Sequence, residues 1–326
     1  MKALIAARGL KEMRGPFIDM LHRAGFELVY PPGSTPLTEE ELLPQLQGVR
    51  ASVAGPEPYT RRVIEANPSL RVIARVCVGF DAVDLDVATQ QGVAVATTPG
   101  ANHDGVAEHT FALLLALAKG LIPQHRDTQV GKWTQQSTIP LRGRVLGIAG
   151  LGRIGKAVAL RGECFGMRLL AYEPVPDLEF VRRHQITLSS FERLLAESDY
   201  LTLHLPLTPE SRHLMNRRTL AQMKPTAFLI NTARGGLVCE ADLVEALQAK
   251  RLAGAGLDVF ETEPPGQTAL LQLDSVVCTP HSASSDLQAR DDITLAAARA
   301  IVALSRGEWP AEQIANPRVR EKFRWE

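Results

Sequence analysis

The stretch VLGIAGLGRIGKAVA, residues 145–159, decides how the chain is read. Its three glycines, Gly150, Gly152 and Gly155, stand in the spacing G-x-G-x-x-G between a strand-like apolar run and a helix-like one. Each has its own task in a dinucleotide-binding turn. Gly150 permits the tight turn off the strand, Gly152 lets backbone approach a pyrophosphate, and Gly155 lets the helix pack close to the strand. The N–H groups that open the helix, together with its dipole, hold the phosphates. The spacing alone is a weak signal, because ordinary strand-to-helix turns also produce it. A second strand-like run, MRLLAY (167–172), strengthens it by ending in Glu173, about 20 residues further on. A carboxylate there accepts the adenosine ribose hydroxyls and repels the extra phosphate of NADP, so NAD is the expected cofactor.

Outward from this turn, the alternation runs in both directions. Towards the C-terminus, strand-like YLTLHLP (200–206), AFLINTA (227–233), AGAGLDVF (253–260) and SVVCTP (275–280) alternate with helix-like segments, and a helical run (285–307) follows. Before the turn, KALIAA (2–7), FELVYP (26–31), ASVAG (51–55), RVIARV (71–76) and VAVATT (93–98) read as strands separated by helices. Thr38 and Glu41 have the form of a capping box, and Gly25, Gly48 and Gly92 stand where helices end. Strands alternating with helices predict parallel sheets covered on both faces. The helix expected at 104–120 is nearly apolar all round beyond Glu108 and His109, and should be buried. The segment 121–144 is polar and proline-marked and leads into the glycine stretch.

Whole-chain properties exclude several classes of function. The 326 residues fit two domains, each able to bury a core. Lys+Arg and Asp+Glu balance at 36 each, which gives no basic field for nucleic acid or an anionic membrane. The four cysteines are far apart with no C-x-x-C pair, so neither a metal site nor a disulfide framework is expected. The N-terminus lacks a signal-peptide pattern, and the longest apolar run, FALLLALA (111–118), is too short to span a bilayer. These features predict a cytoplasmic protein without membrane association.

Three late stretches carry chemistry, each at a strand end: INTARGG with Arg234, LDVFETEPP with Asp258 and Glu263, and CTPHSAS with His281. Ligands of open α/β sheets lie outside the carboxyl ends of the strands, so these residues should gather around a cofactor. Arg234 offers a planar fork of donors to a carboxylate or a carbonyl oxygen. His281, with an ordinary pKa of about 6.5, suits transfer of a hydroxyl proton while hydride moves to or from nicotinamide. Glu263 would orient that imidazole and raise its pKa, and Asp258 would accept from the nicotinamide carboxamide.

GLGRIG, LHLPLTPE, MKPTAFLINTARGGLV, LAGAGLDVFETEPP and TPH, in this order, resemble the NAD-dependent D-2-hydroxyacid dehydrogenases, with the nearest likeness to short, phosphoglycerate-dehydrogenase-like members. The resemblance implies a catalytic trio of Arg234, Glu263 and His281. It also implies cofactor contacts from Gly150, Gly152, Arg153, Ile154, Gly155, Glu173, Thr232, Ala233 and Asp258. It further implies an α/β fold of two doubly wound parallel-sheet domains. A Rossmann NAD-binding domain (100–287) is inserted into a flavodoxin-like substrate domain (1–99 plus 288–326), and a homodimer is expected. RVCVGFDAVD (75–84) matches the family loop whose amides, here Val78 and Gly79, hold substrate carboxylate, and Asn102 matches a residue that approaches substrate and cofactor. Cys77 stands where glycine is usual, and His103 where a small residue is commoner.

The resemblance makes 3-phosphoglycerate the leading substrate, with Arg75 matching one phosphate-contacting arginine. Ala54 occupies the place of a second such arginine, Arg61 and Arg62 lie nearby, and glyoxylate or hydroxypyruvate are the alternatives. Glu263 disfavours formate and Val78 disfavours phosphite, where related enzymes carry glutamine and lysine. NAD-sensing corepressors resemble the same family and form the alternative of another class.

Overall fold

A computed structural model describes every residue except 8–9, 11–14, 33–35 and 134. The chain divides into two compact units, Met1–Asn102 with Leu287–Glu326, and His103–Asp286.

In the first unit, β1 (Lys2–Ile5), β2 (Glu27–Val29), β3 (Val49–Ala54), β4 (Val72–Arg75) and β5 (Ala94–Ala96) form one sheet in the order β2-β1-β3-β4-β5. Every pairing is parallel, and the order is that of flavodoxin-like folds. Burial on both faces explains the near-continuous apolar strands. On one face Phe17 and Leu21 of α1 (Pro16–Arg23) join Ile301 of the helix Leu287–Ser305. On the other, Leu42, Ile64 and Val87 come from α2 (Glu39–Gln45), α3 (Arg61–Glu65) and α4 (Leu85–Gln90). The Thr38–Glu41 capping box forms at the start of α2, with the Glu41 carboxylate accepting the Thr38 N–H at 2.9 Å.

The second unit opens with α5 (His103–Lys119) and α6 (Leu121–Gln129). The polar, proline-marked segment 121–144 thus begins as a helix. Gly120, in the left-handed region at φ 56°, separates the two helices, and Pro123 falls in the first turn of α6, where a missing N–H breaks no helical bond. The α6 helix buries no residue, so no apolar stripe announced it. A sheet then forms from β6 (Val145–Ala149), β7 (Arg168–Tyr172), β8 (Thr187–Leu188), β9 (Tyr200–Leu203), β10 (Phe228–Asn231), β11 (Gly254–Leu257) and β12 (Val276–Cys278). Its order is β12-β11-β10-β9-β6-β7-β8, with every pairing parallel, which is the doubly wound Rossmann order. The two-residue β8 is too short to leave a periodic signal. The direction of winding reverses between β6 and β9, and the glycine turn lies at that point. Among the described residues no single helix is long and apolar enough to cross a membrane.

Candidate active site

The glycine turn forms as its spacing requires. Gly150 takes φ 97°, and a Cβ there would meet the His204 carbonyl oxygen at 2.7 Å. A Cβ on Gly155 would lie 2.0 Å from the Gly150 oxygen, so the first turn of α7 (Arg153–Cys164) packs directly on the strand end. Gly152, the N-cap of α7, faces open space instead. The N–H groups of Gly152, Arg153, Ile154 and Gly155 meet no acceptor among the described residues, while the first helical bond begins at Lys156. Twelve residues of aligned dipole stand behind them. A cradle with exposed donors and no side chain in front fits a pyrophosphate.

Glu173 follows β7. Its two carboxylate oxygens accept N–H groups from Leu151 at 2.8 Å and Val175 at 3.1 Å, which ties it to the glycine turn. Each oxygen keeps a lone pair for a ribose hydroxyl. His204, just past β9, had no role assigned from sequence. Burial pushes its pKa down to about 3, so its ring is neutral; Nε2 pairs with the Thr202 hydroxyl at 2.8 Å, and Nδ1 is buried without a hydrogen-bond partner among the described residues.

At the end of β10, Asn231 braces the next turn from both sides. Its amide donates to the Arg234 carbonyl at 2.9 Å, and its oxygen accepts the Ala233 N–H at 3.0 Å. Thr232 pairs with the Thr110 hydroxyl at 2.9 Å, and half-buried Arg234 donates to the Ala233 carbonyl. Gly235 permits a close crossing: a Cβ would lie 1.9 Å from the Phe260 carbonyl carbon. The Arg234 turn is thereby pressed against the segment that follows β11.

That segment carries Asp258 and Glu263. Asp258 is fully buried and accepts from the Thr279 hydroxyl and from the Ser282 and Ala283 N–H groups at 2.5, 2.8 and 2.9 Å. His109 of α5 adds its Nε2 at 3.4 Å, and also pairs with Thr279 at 2.9 Å. Burial alone would raise the Asp258 pKa, but these bonds take it below the ordinary carboxylate value. Asp258 therefore fastens the turn that holds His281, a use beyond the carboxamide contact expected of it. His281 is held at φ 51°, with its N–H on the Asp258 and Thr279 carbonyls at 2.8 and 3.1 Å.

Glu263 accepts the Phe260 N–H at 3.1 Å through one oxygen and meets His281 Nδ1 at 2.7 Å through the other. This bond raises the His281 pKa against the opposing effects of burial and of the Arg234 charge. Burial pushes Glu263 upward, but its bond to His281 brings it below its ordinary value. Both side chains remain partly open, at 49% and 37% exposure, so the pair can be reached from solvent. A base oriented by a carboxylate, with a guanidinium close enough to act on its charge, can move a proton beside a polarised carbonyl. Glu173, the glycine turn, Arg234, Asp258 and His281 thus follow strands of one sheet along its carboxyl edge. Among the described residues no group of three or more His, Cys, Asp or Glu could hold a metal ion.

In the first unit, the other sequence-predicted residues sit at and beyond the end of β4 and near the unit's boundary. The N–H groups of Cys77, Val78, Gly79 and Phe80 meet no acceptor among the described residues, so the loop presents a run of donors suited to an anion. Asn102 is buried, and its Oδ1 lacks a hydrogen-bond partner among the described residues. Arg75 is 5% exposed and donates to the Gly55 and Gly79 carbonyls. His103 opens α5 with its ring 3.6 Å from the Asp104 carboxylate.

Residues 111–283 match the family described as "D-isomer specific 2-hydroxyacid dehydrogenase, NAD binding domain". The chain belongs to this family. It is an NAD-dependent dehydrogenase of the class that acts on CH–OH groups. A glyoxylate reductase of Korarchaeum cryptofilum is 40% identical over 271 residues, covering 81% of this chain and 82% of that protein. A D-3-phosphoglycerate dehydrogenase of Methanocaldococcus jannaschii is 38% identical over 306 residues, covering 91% of this chain but 58% of that longer protein. The solved D-lactate dehydrogenase of Aquifex aeolicus, complexed with NAD and lactic acid, superposes with a TM-score of 0.84 at 28% identity, over 97% of this chain and 99% of that one.

Two residues of this family site escaped the sequence reading. Asn231 lay within the quoted INTARGG stretch but gave no sign that its side chain would bridge the turn. His109 was visible only as a polar interruption in an apolar helix, and its partners are 149 and 170 residues away.

Proposed function

We propose that this dehydrogenase interconverts a small D-2-hydroxy acid and its 2-oxo acid, with His281, Glu263 and Arg234 as the catalytic groups. The observation that carries the reading is the 2.7 Å Glu263–His281 bond beside Arg234 on the carboxyl edge that also bears the glycine turn. NADH, which the glycine turn and Glu173 would hold, would supply the hydride that adds to the 2-oxo carbon. In the reducing direction, the His281 imidazolium delivers a proton from Nε2 to the 2-oxo oxygen, while Glu263 fixes Nδ1 and stabilises the charged ring. Arg234 polarises the same oxygen through its fork of donors. The amides of Val78 and Gly79 supply donors for the substrate carboxylate, and Asn102, beyond β5, adds a polar side chain. Metabolic catalysis is favoured over an NAD-sensing role because the proton-transfer pair is assembled and open. The test is NADH oxidation against a panel of 2-oxo acids: turnover supports the reading, and tight NADH binding without turnover removes it.

We also propose a homodimer. Leu121, Ile122, Val130 and Trp133 leave 52%, 39%, 70% and 86% of their surface exposed within one short stretch, an apolar run that a second copy would cover. Light scattering on the purified protein checks this, and a monomer at micromolar concentration would refute it.

A further inference from the structure

The shape of the Cys77–Phe80 loop depends on a buried polar group. Arg75, the last residue of β4, is 5% exposed; its Nε donates to the Gly79 carbonyl at 3.2 Å and one Nη to the Gly55 carbonyl. Glu57 is 1% exposed, and its carboxylate accepts the Gly55 N–H at 2.6 Å. Gly55, just beyond β3, thus gives its carbonyl to a cation and its amide to an anion. Tyr59, whose hydroxyl is bonded to Ser52 at 2.6 Å, has its pKa pushed up mainly by burial; the Glu57 charge adds to this, and the Ser52 bond and the Arg75 charge oppose it. Cys77 reinforces the same point, with its thiol on the Gly79 carbonyl at 3.1 Å.

We propose that Arg75 is a positioning residue: with Glu57 and Gly55 it clamps the ends of β3 and β4 and turns the Gly79 carbonyl inward, leaving the loop amides to face the substrate carboxylate. It is not a phosphate ligand. Arg75 is 5% exposed and two of its five N–H donors are already on backbone carbonyls, so a phosphate would have to enter a buried position to reach the others. Entry there would also bring the phosphate dianion towards the Glu57 carboxylate. Arg61 and Arg62 do not substitute, because Arg61 is paired with Glu65 and Arg62 lies between Glu39 and Glu40. The substrate class is therefore a short, unphosphorylated 2-oxo acid. On this proposal Arg75 shapes the loop instead of contacting the phosphate of 3-phosphoglycerate. The inference rests on the dehydrogenase reading above.

The test compares hydroxypyruvate with phosphohydroxypyruvate, using NADH, in the wild-type protein and in Arg75→Met and Arg75→Lys. The two acids differ only in the phosphate. The expected wild-type result is a kcat/KM at least about tenfold higher for hydroxypyruvate. Arg75→Met should raise KM for both acids by a common factor on the order of tenfold, with kcat changed much less and NADH affinity unchanged. Arg75→Lys, which keeps the charge but cannot span both carbonyls, should recover only part of the loss. Should Arg75→Met fail to fold, the KM of Arg75→Lys for hydroxypyruvate decides, because a phosphate ligand has no influence on that acid. An unchanged KM for hydroxypyruvate, or a loss confined to phosphohydroxypyruvate, overturns the proposal. A wild-type protein that reduces neither acid, nor any other 2-oxo acid, refutes the underlying reading instead.

Discussion

The two sheets end in carboxyl edges that share an architecture and differ in what they expose. Beyond β4 of the first unit, the Cys77–Phe80 loop offers backbone N–H groups, while Arg75 and Glu57 are buried beneath it. Beyond β10–β12 of the second unit, the groups presented are the half-open side chains of Arg234, Glu263 and His281. Amides do not titrate near neutral pH and keep their position, which suits them to holding a substrate. A carboxylate–imidazole pair changes charge in that range, which suits it to moving a proton. The division implies that substitutions at the second edge should act mainly on kcat, whereas substitutions beneath the first should act mainly on KM.

The sharpest way to break this contrast is His281→Ala. Turnover should fall by a factor on the order of 10²–10⁴, with NADH binding nearly intact by fluorescence titration. A change confined to KM would place His281 with the holding groups. Gly235→Ala should be the next largest, because its Cβ would collide with Phe260 backbone that cannot rotate away. Unfolding by urea should show a loss of about 1–3 kcal/mol, with NADH still bound below the transition. Unaltered stability would mean that the Arg234 turn is not pressed on the β11 segment as described.

Glu263→Gln addresses the pH dependence. The bond to Glu263 holds the His281 pKa above its ordinary value. Reduction of the 2-oxo acid needs the protonated ring, so kcat/KM should be full at low pH and fall as pH rises through the raised pKa. With the carboxylate removed, that fall should begin at lower pH, while oxidation of the hydroxy acid should gain activity at lower pH. Superimposable pH profiles for the two proteins would remove Glu263 from the proton-transfer pair. His109→Leu should have the smallest effect: one bond to Asp258 and Thr279 is lost, worth about 0.5–1.5 kcal/mol, or a few-fold in kcat. An effect as large as that of His281→Ala would make His109 part of the chemistry rather than a brace for the turn.

Much of this second edge could be read from the chain. The glycine turn was legible because each glycine answers a local demand: a left-handed φ at Gly150, and a helix packed on the strand at Gly155. Arg234, Asp258, Glu263 and His281 were legible because each closes an apolar run and a parallel sheet gathers its strand ends on one side. The α6 helix escaped because it buries no residue, and β8 because two residues carry no period. The brace beneath the first edge escaped for a different reason. Arg75 stands at the end of β4 beside the anion loop, where residue type and place alone suggest a ligand. Its actual partners are backbone carbonyls, which leave no mark in the sequence.

The sequence by itself determined the two alternating halves, the cofactor turn and the strand ends that carry Arg234, Glu263 and His281, because periodicity and glycine spacing are local properties. Tertiary structure alone decided which of those groups are spent inside the protein. The Gly55 and Gly79 carbonyls claim Arg75, and the Thr279 hydroxyl and the amides of Ser282 and Ala283 claim Asp258. A buried polar atom must find a partner, and which partner is within reach is fixed only when distant strands are brought side by side.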